Sequence, residues 1–290
     1  MIWCRIKLFE HFLCIALRAI QFEVFRIAPL QVKRTRIMPS VSIIIGPNFA
    51  GAAGYALTMD GDIMQGEETL LHHKVEHGSI SAQAHYDILG LVAEKVPDRA
   101  ALSVRYAKAV DIDKLGTLAL ACKAAPSVGA MLQRIARYHS LLSDSVRYHL
   151  DEQGDTTFLR QDVLVGAGPG LVFSPEAGLS VIFQVINRVA ADKITPERIT
   201  FNHTAPRDWH LFKEFFGCAV QFVAEADGIL FSQACLTGEN KLGDRALSEF
   251  LTKHLEEELA QINTEPSLIR TTKVEIAQVL SEGLPKMADV

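Results

Sequence analysis

Residues 146–165 read VRYHLDEQGDTTFLRQDVLV. Val146, Tyr148 and Leu150 alternate with Arg147 and His149, the two-residue period of a strand with one apolar face. Asp151-Glu152-Gln153-Gly154-Asp155 supplies turn chemistry and Thr156 to Val165 runs on as a partner strand. The stretch therefore predicts an antiparallel hairpin. Helical patterns flank it on both sides. Upstream, Ser127 to Leu142 puts Val128, Met131, Leu132, Ile135, His139 and Leu142 on one face, with Ser127 after Pro126 as N-cap. Downstream, Ser174-Pro175-Glu176 reads as a helix start, with Ser as N-cap, Pro at the first helical position and an acid in the first turn. It leads into Leu179 to Ala190. A hairpin set between amphipathic helices lacks the strict alternation of a parallel α/β sheet. The predicted class is α+β, antiparallel hairpins packed with amphipathic helices.

Further out, Ile80, Ala84, Ile88, Leu91 and Val92 predict a helix over 80–96 that Pro97-Asp98 stops. Beyond the second helix come a strand at Arg198 to Asn202 and a helix at Arg207 to Phe216. Two short apolar runs, Ala219 to Val223 and Ile229 to Phe231, are separated by Glu225-Ala226-Asp227-Gly228, which predicts a second hairpin. Two helices close the chain, at 243–262 and about 269–282, and Pro266 between them marks the best domain boundary. Ser40 to Gly66, rich in Gly and Ala, reads as loop or loosely specified structure.

The 290 residues are 49% hydrophobic and 22% charged, with net charge −5, the profile of a globular chain of one or two domains. The charge is unevenly placed. Residues 1–40 hold seven Lys/Arg against Glu10 and Glu23, which leaves the other 250 residues at −10. So acidic a body repels a phosphate backbone and excludes nucleic-acid binding over the whole surface. Cys4, Cys14, Cys122, Cys218 and Cys235 are odd in number and never spaced Cys-x-x-Cys, so reduced thiols are expected, with neither a disulfide framework nor a zinc site. The apolar segment Ile6 to Ile27 carries Lys7, Glu10, Arg18, Glu23 and Arg26, charges costly at mid-bilayer, and no membrane span is expected. Three readings of this leader stand: a secretory signal, an amphipathic surface helix, or an extension upstream of a start at Met38, the last preferred.

The chemistry-bearing residues are sparse. Val163 to Gly170 has the look of a phosphate loop, but Leu171 stands where the dinucleotide fingerprint needs its third Gly and Pro169 removes an amide donor, so a strand-to-helix loop is the plainer reading. His72, His73, His77 and His85 cluster, with His73 and His77 on one face if helical. No acidic partner stands at a metalloenzyme spacing, and a solvated polar stretch is expected. Cys122, Cys218 and Cys235 sit in apolar company and should be inert. Glu256-Glu257-Glu258 reads as the exposed face of a helix. The candidate ligand-binding residues are His139 and Tyr148. His139 shares an apolar face with Leu132 and Ile135, and Tyr148 points to the apolar side of the first hairpin strand. A hydrogen-bonded core role is the alternative for each. No catalytic residue and no metal ligand is assigned.

Three stretches together resemble the N-terminal effector-sensing domain of AraC-type transcriptional regulators, in the ornithine-utilisation branch. The first is Leu115-Gly116 with Ala125-Pro126-Ser127 to Leu132 and Arg137-Tyr138-His139-Ser140-Leu141-Leu142. The second is Pro196 to Pro206, continuing through Phe215-Phe216-Gly217-Cys218-Ala219-Val220-Gln221-Phe222 to Leu230-Phe231 and Leu236, similar to the family's Phe-x-His-x-x-Pro and Phe-Gly-x-x-Val-x-Phe patterns. The third is Val274 to Pro285, where such regulators begin a helical DNA-binding domain. Order and spacing match over about residues 70–262. The resemblance implies a non-enzymatic cytoplasmic regulator without cofactor, whose sensor binds a small-molecule effector and forms a homodimer. In that reading residues 1–40 are a leader that matches nothing in the family, 41–262 the sensor, and 263–290 a linker and first helix of a truncated DNA-binding domain. DNA would be reached only through helix-turn-helix units this sequence does not contain, so no residue here is given a DNA contact and no operator binding is expected. The alternative is an interaction protein that dimerises with a full-length regulator and inhibits it, using the helix 243–262 with Leu247, Phe250, Leu251, Leu255 and Leu259 on one face.

Overall fold

The computed structural model describes residues 39–42, 45, 50–76, 78–166 and 168–263. Their strands are β1 (Ser40–Ser42), β2 (Ala56–Leu57), β3 (Asp62–Gln65), β4 (Glu68–His72), β5 (Ser79–Ser81), β6 (Val146–Gln153), β7 (Thr156–Val163), β8 (Arg198–Thr200), β9 (Ala219–Gln221) and β10 (Asp227–Ser232). Their α-helices are α1 (Ala82–Lys95), α2 (Arg99–Ala109), α3 (Gly116–Lys123), α4 (Val128–Tyr138), α5 (Phe173–Val189), α6 (His210–Phe216), α7 (Gln233–Leu236) and α8 (Arg245–Asn263). All belong to one unit, and the class is α+β. The second terminal helix, the leader with Met38, and His77 lie outside the described residues.

The hairpin β6–β7 forms in the expected register, Val146 opposite Val163 and Tyr148 opposite Gln161. Its strands run longer than the turn chemistry implies, since Asp151, Glu152 and Gln153 are still paired. The turn is only Gly154-Asp155. The second hairpin does not exist. β10 pairs antiparallel with β7 and β8, and β9 pairs parallel with β8, giving the sheet order β6-β7-β10-β8-β9. β8, from earlier in the chain, is inserted between the two runs, and a local turn signal cannot report such a long-range pairing. The Gly/Ala-rich stretch also holds more than loop, for β2, β3 and β4 make a three-stranded antiparallel sheet and β1 pairs with β5.

Capping explains which helix starts were readable. Ser127 caps α4, its Oγ accepting from the Ala130 N–H at 3.2 Å. Ser174 does not cap α5. A 3₁₀ turn at Pro169–Val172 has already wound the chain, the helix begins at Phe173, and Ser174 lies within its first turn. α1 begins at Ala82 with Ser81 as cap, because Ile80 is taken by β5. The glycines of the 163–170 stretch serve packing: a Cβ on Gly170 would stand 2.3 Å from the Tyr86 carbonyl oxygen and 2.8 Å from Gly90 N on α1. Pro169 to Val189 is long and apolar enough to cross a membrane, but most of it is buried within the fold.

Two apolar cores result. One lies between the large sheet and α3, α4, α5 and α6, around Leu132, Phe183, Phe212 and Phe231. The other gathers β1, β3, β5, α1 and α2 around Ile63, Ile88 and Leu102. Helix α5 serves both, giving Phe173 and Ala177 to the second and Leu179, Phe183 and Ile186 to the first.

Candidate functional site

A cavity of about 180 Å³ lies where the two cores meet. Leu89 of α1 and Tyr106 of α2 line it from the second core, and Leu118 of α3, Ile135 of α4 and Ile182 and Val185 of α5 from the first. A concave, largely apolar space with a few convergent polar groups is the usual form of a small-molecule site.

The polar groups converge from four elements. His139, just past the end of α4, meets Tyr148 of β6 edge to face, ring centroids 4.8 Å apart. Tyr148 is buried, and its hydroxyl donates to Gln161 Oε1 at 3.1 Å from the directly opposed position on β7. Gln161 Nε2 in turn reaches Ser174 Oγ of α5 at 3.5 Å. The approach depends on Gly178, one helical turn on, where a Cβ would come within 2.8 Å of the Tyr148 hydroxyl and 2.9 Å of Gln161 Oε1. His85 of α1 also lines the space, as do Ser143 and Ser145, whose hydroxyls hydrogen-bond each other at 2.7 Å.

Both candidate residues named from the sequence therefore face one cavity. The electrostatics are those of a dry site. Burial pushes His139 and His85 down to about 4 each, the Val146 backbone offsetting part of the shift at His139. The imidazoles are neutral at neutral pH. Burial raises the Tyr148 hydroxyl above its ordinary value. The Nδ1 of His139 is buried and makes no hydrogen bond among the described residues, and a neutral imidazole nitrogen left so is an open donor or acceptor.

The sequence reading grouped His85 with a solvated cluster and passed over Gln161, Ser174 and Gly178. A signal existed for two of them. Gln161 interrupts the buried face of β7 between Leu159 and Val163, and His85 shares the α1 face of Ile88 and Leu89. The remaining histidines do other things. His72 ends a strand, not a helix, and its Nδ1 is 2.7 Å from Asp62. Among the described residues no three His, Cys, Asp or Glu side chains could together hold a metal ion. Burial pushes the Cys122 thiol up to about 12 and that of Cys218 to about 11, which leaves both protonated.

Three further carboxylates tie together the elements around the cavity. Behind α5, Glu176 is fully buried, accepting from Arg99 Nη2 at 3.0 Å with His203 Nε2 at 3.4 Å. Burial pushes this carboxyl up to about 7 against the pull of Arg99. Asp208 caps α2 from outside, accepting from the Ala100 and Ala101 N–H groups at 3.2 and 2.8 Å. At the C-terminal end of α4, beside His139, Glu256 of α8 accepts from Arg137 Nε at 2.6 Å, Arg137 Nη2 at 2.9 Å and the Tyr138 hydroxyl at 2.6 Å. All three acids of the expected triplet keep side chains open to solvent, Glu256 paired with Arg137 and Glu257 and Glu258 near Lys253 and His254.

The segment that builds this site has known relatives. Residues 68–239, more than half of the chain, match the model of the family described as the arabinose-binding domain of AraC transcription regulators, N-terminal. The chain belongs to this AraC-type family. Every polar group of the cavity named above falls inside the matched range. Among solved structures the AraC-type chain is similar to the transcriptional regulator CdpR from Pseudomonas aeruginosa, at 14% identity and a TM-score of 0.48 over 68% of this chain and 65% of that one. It thus spans less than two thirds of the CdpR chain. No curated protein matches.

Proposed function

We propose that this chain is the effector-sensing, non-enzymatic part of an AraC-type transcription regulator acting in the cytoplasm, and that a small metabolite binds in the cavity against His139 and Tyr148. The observation that supports it is the unpartnered His139 Nδ1 in the wall of a largely apolar cavity, within the family-matched segment. Binding there would favour one of two arrangements of the domain, a population shift. Helix α4 is the lever in this reading. Ile135 and the adjoining His139 face the cavity, while Arg134, Arg137 and Tyr138 hold α8, the helix that runs toward the C-terminal segment. A thermal-shift screen of metabolites tests it, with Val181→Trp as the variant that fills the cavity. A ligand at about 100 times its dissociation constant adds roughly 2.7 kcal/mol of stability. Wild type should rise by several degrees and Val181→Trp should not. Hits that raise both proteins equally, or no hit at all, overturn the proposal.

Homodimerisation, or pairing with a full-length relative that it would inhibit, is the second reading. Leu251 and Leu255 of α8 are core residues, but Leu247 and Phe250 stand 47% and 67% exposed on the same helix. Sedimentation of the wild type should show a dimer at micromolar concentration and Phe250→Glu a monomer. A wild-type monomer removes this reading.

A further inference from the structure

We infer that the ligand of this cavity is uncharged and about the size of one substituted ring: a small aromatic or alicyclic molecule carrying a hydroxyl, carbonyl or amide group. This rests on the cavity being the effector site and goes on to its chemistry.

Charge is the first argument. Among the described residues, no Lys, Arg, Asp or Glu lines the cavity. The nearest carboxylate along α5, Glu176, is turned away to Arg99. A carboxylate or ammonium group entering would shed its water and meet no counter-charge, and hydrogen bonds from neutral groups do not offset that loss. The groups that are present suit a neutral polar substituent. His139 Nδ1 has no partner among the described residues, and with the ring N–H held by the Val146 backbone it is an acceptor, while Gln161 and Ser174 stand just behind the Tyr148 hydroxyl. Protonating His139 to greet an anion is opposed by the burial that holds it at about 4.

Size is the second. An apolar cavity of roughly 150 Å³ takes up benzene; this one is about 180 Å³. One ring and a short substituent fill it. Ornithine, with two ammonium groups and a carboxylate, fails on charge.

Calorimetric titration of the full chain with benzyl alcohol, benzamide, benzoate and benzylamine at neutral pH varies charge while nearly holding size. The two neutral probes should bind at least about tenfold more tightly than the two ions. In His139→Phe, which keeps a ring against Tyr148, benzyl alcohol should bind several-fold more weakly. Benzoate or benzylamine binding as tightly as the neutral pair overturns the inference. So does failure of the neutral probes alongside a charged or larger metabolite that binds wild type and not Val181→Trp, a pattern that leaves the cavity standing as the effector site. Neutral probes that bind Val181→Trp unchanged instead remove the cavity itself. If Val181→Trp does not fold, Ala119→Leu fills the same space from α3.

Discussion

The imidazole of His139 is an acid-sensitive point in the fold. Its pKa is held at about 4, against 6.5 for an unburied ring. Between those values the unfolded chain binds the proton and the native chain does not, so this contribution to stability is complete above 6.5 and is lost as pH falls toward 4. His85, also at about 4, adds a term of the same sign. Removing one ring should flatten the response. His139→Phe is expected to lose stability on acidification less steeply than wild type, by on the order of 1 kcal/mol per pH unit within that window, as urea melts at several pH values would register. Parallel curves would mean that the ring protonates freely in the native protein. Gly178 makes an opposite-sign test. Alanine in a helix interior ordinarily gains about 0.5–1 kcal/mol over glycine. Here the added Cβ meets the Tyr148 hydroxyl and Gln161 Oε1 within 2.9 Å, so Gly178→Ala should instead destabilise by about 1–3 kcal/mol. A rise in melting temperature would contradict the close approach.

Among the elements, α4 links most of the structure to its local sequence. Its Ser127 cap and its apolar stripe of Val128, Met131, Leu132 and Ile135 are written at fixed short spacings and are found as read, but the α-helix ends at Tyr138 and the expected continuation to Leu142 is a 3₁₀ turn at His139–Leu141. Ser127→Ala should cost about 1 kcal/mol, measurable by denaturant melts. The polar side of the same helix was not legible, because Glu256 lies more than a hundred residues away. That carboxylate is held down at about 2 by its bonds to Arg137 and Tyr138. Glu256→Gln should loosen α8, and amide exchange should quicken in α8 while staying slow in α4. Equal protection in both proteins would show that Leu251, Leu255 and the Arg134 bonds to Ser248 and Thr252 suffice to hold the helix. Strand pairing marks the same divide between near and far. β6 and β7 are adjacent in the chain and their register follows from alternation, whereas β9 and β10 look like a hairpin locally and are separated by β8. The cavity was half legible for that reason. His139 and Tyr148 stand out on apolar faces, and His85 shares one with Ile88 and Leu89, but that α1, α5 and the sheet bring these residues and Ser174 to one cavity is a long-range contact that no short window contains.

At the scale of the whole molecule, the two cores are joined along α5, and the buried charge at that join sets how the fold responds to pH. Glu176 reaches Arg99 on α2 and His203 in the segment after β8, while Asp208 of that segment caps α2. The carboxyl titrates at about 7 in the fold and near 4.5 when exposed. Between those values the native state keeps the proton that the unfolded chain releases, so this group lowers stability progressively as pH rises from 4.5 to about 7. Asp227, raised to about 6 by burial, acts with the same sign lower in the range. The acids therefore oppose the two histidines over the pH interval they share and reduce the wild-type slope there, while His73 and His203, also pushed down by burial, act with the sign of the histidines. Substituting one acid exposes the hidden slope. Glu176→Gln, close in shape to the protonated acid, should match wild type near about pH 5 and gain on it by on the order of 1 kcal/mol per unit up to about pH 7. If the variant instead falls behind as pH rises, the carboxylate is ionised throughout and its pairing with Arg99 outweighs the cost of burying it.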